Sequence, residues 1–319
     1  MSVWASRLHD FHGMNWNDIV LRLLSAVAPS DAAVIVFFVL SGHVLWSSFQ
    51  RKQFRFFVDL PDYACARLYR LFPLAIASGL LLGFMVSAPA WDLVMNMLLL
   101  SSNLNGVLWS LQVEVVASLG LFAVWGLTRG TGWKLLLALV LAFGATTIFR
   151  GNIFVVFFPA FILGASISSI PAWTLRRGWV LAVGVGLLVL TNVVLGHGGH
   201  TRLFEMAGAT VVVGTVANGQ LRFLRSGVAL FLGAISYPFY LTHWLGLAGA
   251  NSVVSWLGLE WPFGRLVALA VISIGLTIPL AWLLHVSVEN PALRARPRIR
   301  WWWRQDVGLA KASVGRINF

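Results

Sequence analysis

The chain has 319 residues, of which 59% are hydrophobic and only 11% charged. A soluble domain carries about 25% charged residues, so this composition points away from a soluble globular protein and toward a membrane protein. The net charge of +12 does not indicate nucleic acid, because the basic residues cluster in short loops between apolar runs, and the single Cys65 excludes an internal disulfide or an all-cysteine metal site.

About 20 apolar residues cross a bilayer. By that measure the chain reads as all-α, a polytopic integral membrane helical bundle of about nine spans. They fall at roughly 32–50, 71–89, 108–127, 133–149, 153–170, 179–196, 203–219, 227–248 and 264–286. Residues 1–31 have no cleavable signal pattern and are read as an outer segment, a candidate remnant of a first span. The expectation is that the numbered start lies inside a longer reading frame or that a first span is missing. His9 and His12 fall in this segment. Residues 32–290 form the bundle, and 291–319 form a basic, Trp-rich tail. The sixteen Trp residues suit the aromatic belts at the lipid–water interface.

In the first span, Phe37-Phe38-Val39-Leu40-Ser41-Gly42-His43 places small residues beside a histidine. Small residues permit close helix packing. His43 has the chemistry of a proton-transfer group, although a packing role is as natural. Arg67-Leu68-Tyr69-Arg70 precedes the second span and sets two arginines on one helix face. Their guanidinium forks suit phosphate, and positive-inside anchoring is the alternative. The segment 91–107 is apolar but short, with Asn96, Asn103 and Asn105, and reads as re-entrant or interfacial.

Trp109-Ser110-Leu111-Gln112-Val113-Glu114 opens the third span. A centrally placed Asp or Lys costs about 2.5–3.5 kcal/mol on insertion scales, so a carboxylate in an apolar stretch needs a reason. Glu114 reads as an acid, a base or an acceptor for substrate hydroxyls, with a structural salt bridge as the equal alternative. Gly196-His197-Gly198-Gly199-His200 has two histidines without a third ligand and reads as a loop. Further on, Ser236, Tyr240 and His243 are spaced four and three apart. They are expected to line one polar face that meets sugar hydroxyls, or else to bond neighbouring helices. His243 is expected at the depth of Glu114. Glu289-Asn290-Pro291 closes the last span, and Glu289 is expected to pair with Arg67 or Arg70.

Most Lys and Arg residues fall on one side of this arrangement. The positive-inside rule makes that side cytoplasmic, with the C-terminus inside an inner or cytoplasmic membrane. Arg67 and Arg70 then lie at the cytoplasmic entrance, while Glu114 and His243 lie toward the outside.

In this order, five pieces resemble acyltransferase family 3 over nearly all of the chain. They are Phe37 to Gly42, Arg67 to Arg70 before Pro73, Trp109-Ser110-Leu111 with Glu114, Ile235-Ser236-Tyr237 through His243, and Glu289-Asn290-Pro291. The resemblance implies a stand-alone membrane enzyme that moves an acyl group, often acetyl, from acyl-CoA to a hydroxyl. The acceptor it implies is a sugar, a surface polysaccharide or a similar glycan. The family pattern has ten spans, with an arginine and then an essential histidine in the first. The residues before 32 hold Arg7, His9 and His12 without that spacing. The expected catalytic residues are Glu114, His243 and His9. Arg67 and Arg70 are expected to bind the donor, and Trp109, Ser110, Ser236 and Tyr240 the acceptor. No metal is implied. A multi-span transporter or flippase and a catalytically inactive membrane subunit are the competing classes. No paired Gly/Pro-broken helices in matching halves favour the transporter.

Overall fold

The computed structural model describes residues 30–52, 54–175, 177–191, 201–219, 221–259 and 262–297. They form α1 (Ser30–Lys52), α2 (Phe56–Val86), α3 (Ala90–Met97), α4 (Leu108–Thr128), α5 (Gly132–Ile148) and α6 (Ile153–Ser166). Then come α7 (Ala172–Leu175), α8 (Gly178–Leu190), α9 (Thr201–Ala217), α10 (Gly227–Trp256) and α11 (Pro262–Leu284). A π-helical turn, His285–Glu289, leads into α12 (Asn290–Ala295). Among the described residues, α1, α2, α4, α10 and the run from α11 to α12 are long and apolar enough to cross a membrane, and α5, α6 and α8 are shorter apolar helices. The chain is a multi-pass helical membrane bundle.

Among the described residues each expected span falls on a helix, with 192–196 of the span at 179–196 outside them, and three helices run past the expected limits. α2 begins at Phe56 rather than near 71, α10 runs on to Trp256, and the α11 run continues to Ala295. α2 holds Pro61 and Pro73 in its interior. A proline withholds one helical N–H, so the Tyr69 carbonyl has no helical donor from Pro73. Packing carries the helix through this break. Next to it, the Tyr237 hydroxyl of α10 donates to the Leu71 carbonyl at 2.6 Å.

The expected short segment after α2 is α3 and a turn. It is held from within by buried asparagines. The Asn105 N–H donates to Asn96 Oδ1 at 3.1 Å, and Asn105 Nδ2 donates to the Leu241 carbonyl of α10 at 3.2 Å. The structure thereby satisfies buried amides that lipid cannot.

Small residues set the closest helix contacts. A Cβ added at Gly42 of α1 would run into the Phe161 carbonyl oxygen of α6, and one at Gly164 would run into the Val39 carbonyl oxygen. The backbones of α1 and α6 touch there because neither glycine carries a side chain. Two apolar clusters build the interior. One centres on Phe38, Trp46, Phe49, Phe122 and Phe161. The other joins Leu74, Leu108, Leu111, Leu241 and Leu284.

One end of the bundle is basic. There the loop after α1 meets α4 as Trp125 Nε1 donates to the Phe54 carbonyl at 2.9 Å. Arg296, just past α12, pairs with Asp62 at 2.7 Å. The other end carries Arg150 after α5 and Arg202 at the start of α9.

Candidate functional site

The two apolar clusters abut along α2 and α4, and a buried ion pair sits at their junction. Arg67 Nη2 lies 2.7 Å from Glu114 Oε1. The residues are only 8% and 4% exposed. One turn before Arg67, Tyr63 belongs to the first cluster; one turn before Glu114, Leu111 belongs to the second. Tyr63 stacks on Phe122 with centroids 4.7 Å apart, and its hydroxyl donates to the Ser118 carbonyl at 3.0 Å. These contacts fix α2 against α4 just below the pair. The Ser41 hydroxyl of α1 donates to Glu114 Oε1 at 3.3 Å, so three helices converge on one carboxylate oxygen.

This arrangement corrects the expected placement. Arg67 and Glu114 do not lie on opposite sides of the membrane. Because α2 starts at Phe56, Arg67 is about 16 Å along it at roughly 1.5 Å per residue. It is an interior residue and does not stand at the entrance. Glu289 also does not pair with Arg67. Its Oε2 lies 2.7 Å from Nδ1 of His285, four residues earlier across the π-helical turn. Arg67 and Arg70 do not share one environment either, since Arg67 is buried and Arg70 is exposed. Arg70 makes no ion pair among the described residues.

Two buried atoms of the pair have no hydrogen-bond partner among the described residues: Arg67 Nε and Glu114 Oε2. A buried, unmet polar atom costs about 1–3 kcal/mol, and more when charged. Native interiors rarely leave one without a reason. The pair thus offers one donor and one acceptor to a bound polar group.

A second polar contact lies one turn outward. The Ser110 hydroxyl is 2.8 Å from the Tyr240 hydroxyl and also donates to the Val107 carbonyl at 2.9 Å. This joins α4 to α10. His243 Nδ1 lies 2.7 Å from the Tyr240 carbonyl on its own helix. As the donor in that bond, Nδ1 leaves the Nε2 lone pair free in the neutral ring.

The expected equal depth of His243 and Glu114 does not hold. α4 and α10 run in opposite senses. Glu114 lies inward of Ser110 and His243 lies outward of Tyr240, so they are roughly 10 Å apart along the bundle at about 1.5 Å per residue. Ser236 does not join this face: it is exposed, and its hydroxyl donates to Gly233 on its own helix at 2.8 Å. Its neighbour Tyr237 instead turns toward α2, where its hydroxyl donates to the Leu71 carbonyl at 2.6 Å.

Trp109 is half-buried in an aromatic group. Its ring packs 5.3 Å from Phe157 and 6.2 Å from Phe38. His43 sits where α1 meets α6, its backbone N–H beside Gly164. His9, His12, His197 and His200 lie outside the described residues.

Sequence reasoning missed the pairing role of Ser41 and the contacts of Tyr237 and His285. Ser41 stood in a run read for packing alone. Tyr237 stood beside the residues chosen at helical spacing. It was nevertheless one of only four tyrosines in the chain, and a buried phenol hydroxyl usually finds a partner.

A family model described as an acyltransferase domain matches residues 5–286. Acyltransferase MdmB from Streptomyces mycarofaciens is 27% identical over 340 aligned positions, which cover 87% of this chain and 84% of that protein. No solved structure matches the chain.

Proposed function

The chain belongs to acyltransferase family 3, and from that premise we propose that it moves an acyl group, acetyl in the simplest case, from acyl-CoA to a hydroxyl of a sugar, surface polysaccharide or similar glycan. The observation that carries this reading is the buried Arg67–Glu114 pair with its two atoms unpartnered among the described residues. A transferase needs a dry site with fixed charges that meet polar substrates, and this pair supplies one.

The donor enters at the basic end, which the positive-inside rule makes cytoplasmic in an inner membrane. Arg70, exposed and outside any ion pair among the described residues, takes a phosphate of the CoA moiety; it lies one turn beyond Arg67 along α2, so the CoA arm folds back along the helix to bring the thioester to Arg67. Arg67 is committed to Glu114 and offers its Nε–H to the thioester carbonyl as negative charge grows there. The acceptor enters from the opposite end, past Trp109 and the Ser110–Tyr240 contact.

In the transfer, the acceptor oxygen bonds to the thioester carbon and the carbon–sulfur bond breaks. The hydroxyl proton leaves to a base, and the CoA sulfur takes up a proton as the free thiol. Glu114 Oε2 accepts a hydrogen bond from a neighbouring hydroxyl of the acceptor, which leaves the proton of the reacting hydroxyl to the base. Its ion pair with Arg67 holds the carboxylate in place, which suits it to orienting the acceptor. A histidine takes the proton. His243 offers Nε2 for this among the described residues, and His9 is the other proposed catalytic histidine. General-base help is worth about 10²–10⁴ in rate.

The test is complementation of a deletion strain followed by mass spectrometry of intact surface glycans. The wild-type gene should restore an acyl mass that Glu114→Gln does not restore. An acylation pattern that is the same with and without the gene would overturn the reading.

A further inference from the structure

Away from the ion pair, at the end opposite the basic loops, a cavity of about 210 Å³ opens between α5, α6 and α9. Arg150 and Arg202 line it together with Thr146 and Thr147 on the polar side. Phe143, Val156, Leu203 and Met206 line the rest. The acyl-transfer mechanism makes no use of it.

The two guanidinium groups are each held in place by a described contact. Arg150 Nε donates to the Thr147 carbonyl at 3.0 Å, which closes the end of α5. The Arg202 guanidinium lies over the Phe157 ring, 5.3 Å from its centroid. Neither makes an ion pair among the described residues. Glu205, a turn along α9, is buried and has a partner of its own. Two fixed cations beside one cavity repel each other unless an anion lies between them. The apolar wall opposite rewards a hydrocarbon body. The volume is below the about 300–1,000 Å³ of a drug-sized site, so it fits a charged headgroup and not a whole glycan.

We propose that this cavity is an anion subsite: Arg150 and Arg202 hold a phosphate or carboxylate carried on an apolar body. The Phe157 ring links the subsite to the acceptor path, because the Arg202 guanidinium and the Trp109 ring both pack on it, at 5.3 Å in each case. A ligand anchored here reaches the Trp109 mouth. As the anchor of an acceptor, the subsite rests on the acyl-transfer reading and narrows the substrate class to amphipathic anions such as a lipid-linked phosphate. A membrane phospholipid has the same chemistry and is the other source of such a ligand.

The test is a binding measurement that needs no catalysis. The full chain, in an uncharged maltoside detergent, is titrated with dodecyl phosphate and read by tryptophan fluorescence. Wild type should bind saturably. Arg150→Ala/Arg202→Ala should bind at least tenfold more weakly, and Arg150→Lys/Arg202→Lys should keep most of the affinity, which guards against a folding artefact. Arg225→Ala, at the other end of the bundle, should match wild type, and dodecyltrimethylammonium should not bind. Equal affinity in wild type and the double alanine variant, or an equal loss in Arg225→Ala, overturns the subsite.

Native mass spectrometry of protein taken directly from membranes separates the sources. A phospholipid mass or a glycan-lipid mass on wild type that is missing from the double alanine variant supports the subsite and names its occupant. Loss of dodecyl phosphate binding from the proposal while glycan acylation persists would remove the subsite and leave the transferase. Anion binding without any acylation would do the reverse.

Discussion

Arg67 of α2 and Glu114 of α4 meet at 2.7 Å between the two apolar clusters of the bundle. The contact joins two segments that the sequence reading set at opposite faces of the membrane. It turns two expensive charges into one local dipole, with Arg67 Nε and Glu114 Oε2 unpartnered among the described residues.

Breaking this pair from one side strands a buried charge, which costs about 3–5 kcal/mol. Arg67→Ala and Glu114→Ala should each lower the melting temperature in detergent strongly. Arg67→Met/Glu114→Leu should regain most of the stability and still fail to restore glycan acylation. Recovery of acylation in that apolar pair would show that the charges serve folding alone.

Arg70 is the opposite case. It is exposed and outside any described ion pair, so Arg70→Ala should leave the melting temperature unchanged. A hydrogen bond to a charged group contributes about 1.5–3 kcal/mol, or roughly tenfold to a hundredfold in Kd. Calorimetric titration with CoA should show a loss in that range, and an unchanged Kd would take Arg70 out of donor binding.

The backbone contact between α1 and α6 leaves no room for a side chain at Gly42 or Gly164. Gly164→Leu forces the helices apart, and overpacking of this kind costs about 1–3 kcal/mol. Ser41 sits next to Gly42 and moves with α1, so the Ser41–Glu114 bond should weaken as well. Thermal melts and acylation assays should fall together in this variant. Gly144→Ala, where an added Cβ meets nothing within 4 Å, should change neither.

The Ser110–Tyr240 contact at 2.8 Å is a neutral hydrogen bond, with a net contribution of about 1 kcal/mol. Ser110→Ala and Tyr240→Phe should each cost about that much. Their double-mutant cycle should show a coupling near the same size. Additive losses would mean that the two hydroxyls stabilise the fold independently.

The helical part of the structure was legible because each element carries its own signal. The runs at 32–50 and 108–127 match α1 and α4 closely, because every residue of a spanning helix must satisfy lipid and the apolar content shows it. The start of α2 was less legible. Asp59, Asp62, Arg67 and Arg70 lower the apolar content of its first half, so the apolar window began near 71 while the helix begins at Phe56. Arg67 and Asp62 are tolerated because they find partners elsewhere in the fold, Arg67 on Glu114 and Asp62 on Arg296. Ser236 shows the same limit from the other direction. Its spacing to Tyr240 and His243 was right for one helix face, but spacing does not say which neighbour that face meets, and Ser236 is exposed.

By itself, then, the sequence determined a helical membrane bundle, its small-residue packing sites and its family, since these rest on apolar length, residue size and the order of short motifs along one chain. The tertiary structure alone decided that Arg67 belongs to Glu114, that Glu289 belongs to His285, and that the Tyr237 hydroxyl meets the Leu71 carbonyl. Partner choice between helices depends on where each helix starts and how far it is turned. A shift of one residue rotates a side chain by about 100°, and only the packed bundle sets that angle.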